Sequence, residues 1–100
     1  MVKHIVMWKF NDTAEGKTKD ENMDIVKNGL LALKPIIPEI KYIELGKDVS
    51  RTDMSYDLAL ITEFETLEDL HTYKIHPEHQ KVANYVAKVT NSRGVIDFSF

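Results

Sequence analysis

The sequence predicts a single α+β domain in which strands and helices follow the order β-α-β-β-α-α-β, and three observations support this prediction. Four segments alternate apolar and polar residues with the period of half-buried strands, namely residues 2–10, 40–49, 56–64 and 92–100. Two regions between them carry apolar residues at spacings of three and four, as helices that pack on a sheet do. The proline of the pair His76-Pro77 interrupts the second of these regions and divides it into two helices.

The first strand and the first helix are predicted because the spacing of apolar residues changes from two to three or four. One face of the strand over residues 2–10 carries Val2, His4, Val6, Trp8 and Phe10, and the other carries Lys3, Ile5, Met7 and Lys9. A helix is predicted over residues 14–34, after the capping side chains at residues 11–13 and before the prolines at 35 and 38. Its apolar stripe consists of Met23, Val26, Leu30 and Leu33. Gly16 and the polar first half favour a frayed or late start.

The two middle strands are predicted from alternation around a polar connection at residues 47–55. In the earlier strand, Ile43 and Leu45 alternate with Tyr42 and Glu44. In the later strand, the two faces are Tyr56, Leu58, Leu60, Thr62 and Phe64 on one side and Ala59 and Ile61 on the other.

The second crossover begins at Thr66, which with Asp69 resembles a capping box. Pro77 suits the first turn of the following helix, where its missing N–H is not needed. In the last strand, Arg93-Gly94 predicts a bend or bulge, with Arg93 free for an ion pair between subunits.

This order predicts a ferredoxin-like split βαβ fold with a four-stranded antiparallel sheet. Right-handed crossovers place all helices on one face of the sheet, yet both faces of its strands carry apolar residues. The uncovered face would expose a large apolar patch, which monomers rarely do. We therefore expect a homodimer in which two sheets pack into a shared α/β barrel. The alternative is a monomer with an open, partly apolar ligand face.

Composition narrows the function. The chain has 100 residues, 43% of them hydrophobic, so we expect one domain over residues 1–100. A net charge of −3 argues against nucleic-acid and anionic-membrane binding. There is no cysteine, which excludes disulfides and thiolate chemistry. The charged, alternating first ten residues resemble neither a signal peptide nor a membrane span, so we expect a cytoplasmic protein.

Histidine and tyrosine remain as candidate chemical groups. His4 shares a strand face with Trp8. If that face lines the barrel interior, His4 is either an acid–base group in an apolar cavity or a hydrogen-bonded core residue. His76 and His79 flank the helix junction, and only one of them is expected to face inward. His76 could instead cap the junction through backbone hydrogen bonds, and His71 is expected to be solvated.

A metal site is weakly indicated at best. His76 and His79 have the spacing of a ligand pair, but no third ligand is suitably placed. The sequence contains no phosphate loop, dinucleotide fingerprint or nucleophile elbow. We therefore expect neither a metal nor a cofactor.

Four segments together resemble the stress-responsive dimeric α/β-barrel (Dabb) domain family. They are VKHIVMWKF, YDLALITEFETLEDLHTY, HPEHQKV and SRGVIDF, and the resemblance covers nearly the whole chain. It implies a ferredoxin-like protomer and a homodimer, with larger oligomers in some members. Many members have no assigned activity, and a plant branch closes linear polyketides by cofactor-free aldol condensation.

The resemblance to that branch implies roles for three residues. The histidine of the HP-x-H run, here His79, would act as the base, and Tyr73 would hold it and the substrate. The strand histidine that lines the same pocket corresponds to His4. A further pocket tyrosine of that branch corresponds by spacing to Leu30.

Two hypotheses of function follow. In the first, His79, Tyr73 and His4 perform cofactor-free acid–base chemistry on a small apolar or polyketide-like ligand. In the second, the protein is a non-catalytic, stress-responsive structural or oligomer-forming protein whose cavity is filled by Trp8, Phe64, Phe98 and Phe100. A cofactor-independent monooxygenase is compatible with the fold alone, but fold does not determine function.

Overall fold

The strands and helices of the computed structural model, which describes all residues from 1 to 100, follow the predicted order with one added hairpin. They are β1 (Val2–Phe10), β2 (Thr13–Ala14), β3 (Lys17–Thr18), α1 (Lys19–Leu31), β4 (Tyr42–Lys47), β5 (Leu58–Phe64), α2 (Leu67–Ile75), α3 (Pro77–Val89) and β6 (Thr90–Ser99). Four strands form an antiparallel sheet in the order β4-β5-β1-β6, while β2 and β3 pair only with each other. The predicted α+β ferredoxin-like fold is confirmed.

The register of β1 determines which residues become neighbours. It pairs with β5 on one side and β6 on the other, so His4 lies between Thr62 and Asp97. Because antiparallel partners share a face, all three side chains point to the same side of the sheet.

The first helix begins late, at Lys19, as its polar first half and Gly16 predicted, so the bound at residue 14 is corrected. Residues 13–18 form a hairpin whose turn residues, Glu15 and Gly16, have φ angles of 53° and 72°, which no helix accommodates. The helix begins after Thr18, whose hydroxyl accepts a hydrogen bond from the Glu21 backbone N–H. The Glu21 carboxylate in turn accepts one from the Thr18 N–H, which completes a capping box. The helix also ends earlier than predicted, at Leu31.

The irregularity in β6 does not lie at Arg93-Gly94, as the sequence suggested. Gly94 pairs regularly with Met7, and the register shifts where Lys9 faces Ser92 and Phe10 faces Thr90. The extra residue of the bulge is therefore Asn91, whose side-chain amide donates a hydrogen bond to the Asn11 side chain at 2.8 Å.

Only one face of the sheet is covered. The core between sheet and helices contains eighteen buried apolar residues, and the α1 stripe of Met23, Val26, Leu30 and Leu33 belongs to it, as predicted. On the opposite face Ile96, Phe98 and Phe100 stay 57%, 41% and 55% exposed. Apolar residues on both faces are thus confirmed, because strand alternation sends neighbouring side chains to opposite sides.

The expectation that four aromatic side chains fill one cavity is wrong, because they lie on opposite faces of the sheet. Trp8 and Phe64 are buried beneath the helices, whereas Phe98 and Phe100 lie on the exposed face, where the Lys3 ammonium sits 6.0 and 4.7 Å from their ring centres. The four aromatic side chains therefore cannot fill a single cavity.

None of the three helices combines the length and the hydropathy that a membrane-spanning helix requires.

Candidate active site

His4, Tyr73 and His79 come together between the sheet and the helices, although they belong to three different elements. The centre of the Tyr73 ring lies 4.4 Å from that of His79 and 6.4 Å from that of His4. His4 comes from β1, Tyr73 from α2 and His79 from α3. The sheet and both helices of the second crossover thus contribute to one cluster.

Tyr73 is the centre of this cluster. It has no exposed surface and packs on the Phe64 ring at 5.1 Å between ring centres. Burial raises the pKa of its phenol well above the ordinary value, so the hydroxyl keeps its proton at neutral pH. That hydroxyl has no hydrogen-bond partner in the protein. A buried hydroxyl without a hydrogen-bond partner lowers the stability of the fold. The Tyr73 hydroxyl is therefore a candidate hydrogen-bond donor to a ligand.

His4 is held by a carboxylate. Its Nδ1 lies 2.5 Å from Asp97 Oδ1, and its ring is almost fully buried. With Nδ1–H donating to Asp97, the Nε2 atom carries the free lone pair. Burial lowers the pKa of His4, and the hydrogen bond and charge of Asp97 oppose that effect. Lys74 and Arg93 lower it further.

His79 owes its orientation to the helix break. A continuous helix would use the Lys74 carbonyl to accept the Glu78 N–H, but Glu78 donates to His76 Nδ1 instead, at 3.1 Å. The freed carbonyl accepts a hydrogen bond from His79 Nδ1 at 3.0 Å and from the Gln80 amide at 2.6 Å. With Nδ1 protonated in this bond, the lone pair of His79 lies on Nε2.

The environment of His79 favours the neutral imidazole. Burial is the main cause that lowers its pKa, and the hydrogen bond to the Lys74 carbonyl opposes it. The charges of His4, Arg93 and His76 lower the pKa further. His79 is also the third residue of α3, close to the positive end of the helix dipole, which disfavours a positive charge on the imidazole. A neutral, half-buried imidazole with a free Nε2 can accept a proton.

The other two histidines have separate roles. His76 ends α2 and caps α3 through its hydrogen bond from Glu78, which confirms the capping interpretation. His71 is exposed on α2, as predicted. Across residues 1–100, no group of three or more histidine, aspartate or glutamate side chains is placed to hold a metal ion.

The sequence analysis considered a position for His4 in the interior of a barrel formed by two sheets, and the structure shows a different position. His4 points toward the helices, not toward the side where a second sheet would pack, because it shares its strand face with Val6 and Trp8. The cluster therefore lies within one protomer. Three cavities, of about 460, 280 and 230 Å³, have other residues in their walls. His79 is the partly exposed member of the cluster and lies at the α2–α3 junction.

The sequence analysis did not identify Asp97 as a partner of His4. The alternation of β6 placed it opposite Ile96 and Phe98, but only the pairing of β1 with β6 brings it to His4. The alternation in β6 indicates which face of the strand carries Asp97. It does not indicate which residue of β1 is paired with Asp97, because the register is not contained in the local sequence pattern.

The structure is that of a ferredoxin-like α+β protein with a cluster of two histidines and a tyrosine beneath its helices. The chain belongs to the stress responsive A/B barrel domain (Dabb) family, whose model matches residues 2–100. The predicted family is thereby confirmed.

Three relatives illustrate the similarity. Olivetolic acid cyclase of Cannabis sativa is 35% identical over 80 residues, which cover 78% of this chain and 75% of that protein. A dimeric ferredoxin-like protein of unknown function from Bacteroides fragilis is 30% identical, with a TM-score of 0.82 and coverage of 99% and 95%. A second one, from Thermobifida fusca, is 26% identical, with a TM-score of 0.84 and coverage of 99% and 90%.

The role of Asp97 can be measured directly. Asp97→Asn removes the charge that raises the pKa of His4 against burial, so we expect this pKa to fall further below its ordinary value. His79 is held by the Lys74 carbonyl instead and is affected only through the charge of His4, so its pKa should change less than that of His4. NMR titration of the imidazole resonances tests both statements. An unchanged or higher pKa of His4 would contradict the assigned contact.

Proposed function

We propose that this protein is a cofactor-independent acid–base enzyme of the cytoplasm, which removes a proton next to a carbonyl group of a small, apolar, polyketide-like substrate. The observation that carries the proposal is the state of His79. Its Nδ1 is held by the Lys74 carbonyl, its pKa is lowered by burial, and its ring lies against Tyr73, whose hydroxyl is unpaired. A base and a hydrogen-bond donor thus occupy the same site.

The chemistry divides between these groups. His79 Nε2 takes a proton from a carbon that lies between two carbonyl groups, and the electron pair moves onto the neighbouring oxygen as an enolate. The Tyr73 hydroxyl donates a hydrogen bond to that oxygen. The enolate carbon then attacks a second carbonyl of the same molecule and forms a carbon–carbon bond. The resulting alkoxide receives the proton from the His79 imidazolium, and loss of water completes the condensation.

His4 and Asp97 are placed to support this cycle. The His4 ring centre lies 6.4 Å from that of Tyr73, and the Asp97 carboxylate stabilises the protonated form of His4. His4 can therefore accept a proton when the product is released or return one to it. In this proposal His4 is the second acid–base group, and Asp97 orients its ring.

The relative with a known reaction supports the class of chemistry but not the substrate. Olivetolic acid cyclase is named for ring closure, and 35% identity leaves room for a different ligand. Leu30, which corresponds to a pocket tyrosine in the cyclase branch, is buried in the apolar core here. Leu30 thus lacks the hydroxyl that the resemblance to the cyclase branch would place in the pocket, which favours a substrate that is less polar at that end.

His79→Gln tests the base. We expect the variant to lose roughly 10²–10⁴-fold in the rate of cyclisation of a linear poly-β-keto acid with a short alkyl tail, because general-base help is lost. Mass spectrometry measures the product, which is one water lighter than the substrate. His71→Gln is the matched control, since His71 is exposed on α2. Equal rates in the two variants would contradict the proposal.

The Tyr73→Phe substitution distinguishes the proposed role of the hydroxyl in catalysis from the role of the ring in core packing. The substitution keeps the ring and removes a hydroxyl that has no partner, so the free energy of unfolding should stay the same or rise by up to about 1 kcal/mol. Cyclisation should nevertheless slow, because the enolate loses its donor. Urea unfolding and the cyclisation assay measure the two effects. A destabilised variant would show that the hydroxyl has a structural partner, and a fully active one that it plays no part in catalysis.

A non-catalytic structural or oligomer-forming protein is the second candidate, and the close packing of the cluster favours it. Tyr73 has no exposed surface, and none of the three cavities reaches the histidines. If this candidate is correct, poly-β-keto acids leave the NMR signals of His79 unchanged, and light scattering detects assemblies larger than a dimer.

In either case the proposed functional unit is a homodimer. The helix-free face of the sheet exposes Ile96 and Phe98, and the relatives from Bacteroides fragilis and Thermobifida fusca are dimeric. Pairing two such faces would bury this apolar surface.

A further inference from the structure

Arg93 lies on the helix side of strand β6, the side that carries the histidine–tyrosine cluster. It pairs with Trp8 in the register of β1 and β6, and antiparallel partners share a face of the sheet. Trp8 is buried in the core beneath the helices, whereas Arg93 is exposed on the edge strand. The helix-free face, on which we propose that a second copy packs, is the opposite side of the sheet. Arg93 is therefore placed to serve the site within its own protomer.

The Arg93 guanidinium has no counter-charge in the protomer. It takes part in none of the ion pairs, whose cations are lysines and His4. The other charged residue on this face of β6 is Asp97, and its carboxylate is engaged by His4 Nδ1. A guanidinium presents its N–H groups in a fork that matches the two oxygens of a carboxylate. Arg93 is thus free to pair with a carboxylate that the chain itself does not supply.

The charge of Arg93 acts on every member of the cluster. Burial is the main influence on the pKa values of His4, Tyr73 and His79, and the positive charge of Arg93 lowers all three values. No other charged residue acts on all three groups. Because the interaction between charges weakens with distance, the guanidinium lies beside the cluster as a whole.

The surface of β6 between Arg93 and Asp97 is apolar and accessible. These two residues are four positions apart on one face of the strand, which corresponds to roughly 13 Å between their Cα atoms. Val95 lies between them and pairs with Val6. Val6 is 1% exposed, but Val95 is 44% exposed, so a ligand can contact it. The strand edge thus offers a cation at one end, an apolar residue in the middle and the His4–Asp97 pair at the other end.

We propose that Arg93 binds a carboxylate group of the substrate and selects carboxylic acids over neutral molecules of the same shape. The inference rests on the function proposed above and specifies the class of substrate. The carboxylate oxygens accept hydrogen bonds from the guanidinium, and the apolar part of the substrate lies along Val95. The carbon that loses its proton is then directed toward His79. Arg93 takes no part in the proton transfer itself and is a specificity-determining residue.

Hexanoate and methyl hexanoate test the selection without any reaction. The ester is the more apolar molecule but carries no charge, so burial of apolar surface alone would favour it. We expect the native protein to bind hexanoate at least about tenfold more tightly than the ester, and Arg93→Gln to lose this preference. NMR titration of the His4 and His79 signals measures both dissociation constants, and circular dichroism checks that the variant is folded.

Arg51→Gln is the matched control. Arg51 is the only other arginine of the chain, and it is exposed in the connection between β4 and β5. Its substitution removes the same charge and should leave the preference for hexanoate unchanged. In the ligand-free protein, Arg93→Gln should raise the pKa of His4 and of His79, because a positive charge beside them is removed. Unchanged pKa values would overturn the placement of the guanidinium beside the cluster.

The remaining outcomes separate this inference from the proposed reaction. A native protein that does not bind hexanoate, or that binds acid and ester equally, overturns the inference. A preference for the acid that survives Arg93→Gln also overturns it. If Arg93→Gln instead raises the dimer dissociation constant in sedimentation and leaves hexanoate binding intact, the guanidinium serves a contact between subunits. A protein that binds hexanoate through Arg93 but does not cyclise a poly-β-keto acid overturns the proposed reaction alone.

Discussion

The structure depends on an imbalance between its layers: the sheet is apolar on both faces, and the helices cover only one. Strand β1 lies at the centre of that sheet, so its alternation separates two environments. Val6 and Trp8 pack beneath the helices, and Ile5 and Met7 face away from them. The covered face therefore holds the buried histidine–tyrosine cluster, where we propose the chemistry, and the uncovered face exposes the apolar surface on which we propose that a second copy packs. A chain of 100 residues serves two interfaces in this way.

The break between α2 and α3 turns a core position into a candidate active site. Pro77 lacks a backbone donor, and Glu78 donates to His76, so the carbonyl groups at the end of α2 are left without their usual helical partners. One of them, that of Lys74, orients His79 and fixes which nitrogen carries the lone pair. Burial then keeps the imidazole neutral. The break at Pro77 thus determines where the His79 ring lies and which of its nitrogens is protonated, and burial favours its neutral form.

The parts of the molecule that depend on local pattern could be predicted from the sequence. The strands, the helix break and the capping role of His76 follow from period, proline and spacing. The hairpin at residues 13–18 was missed, because a polar segment carries no apolar period. The side of the sheet that His4 faces and its contact with Asp97 depend on crossover handedness and strand register, which local pattern does not contain. The resemblance to a family named His4, Tyr73 and His79, and the register explains how the first of them meets Asp97.

The tautomeric state of the histidines tests the central claim most directly. ¹⁵N NMR of the protein labelled at histidine distinguishes the Nδ1–H form, the Nε2–H form and the imidazolium. At neutral pH we expect a neutral His79 with its proton on Nδ1, held by the Lys74 carbonyl, and a free lone pair on Nε2. Addition of a poly-β-keto acid should shift the Nε2 signal of His79 and leave that of exposed His71 in place. A protonated Nε2 on His79, whether as the other tautomer or as the imidazolium, would contradict its assignment as the base.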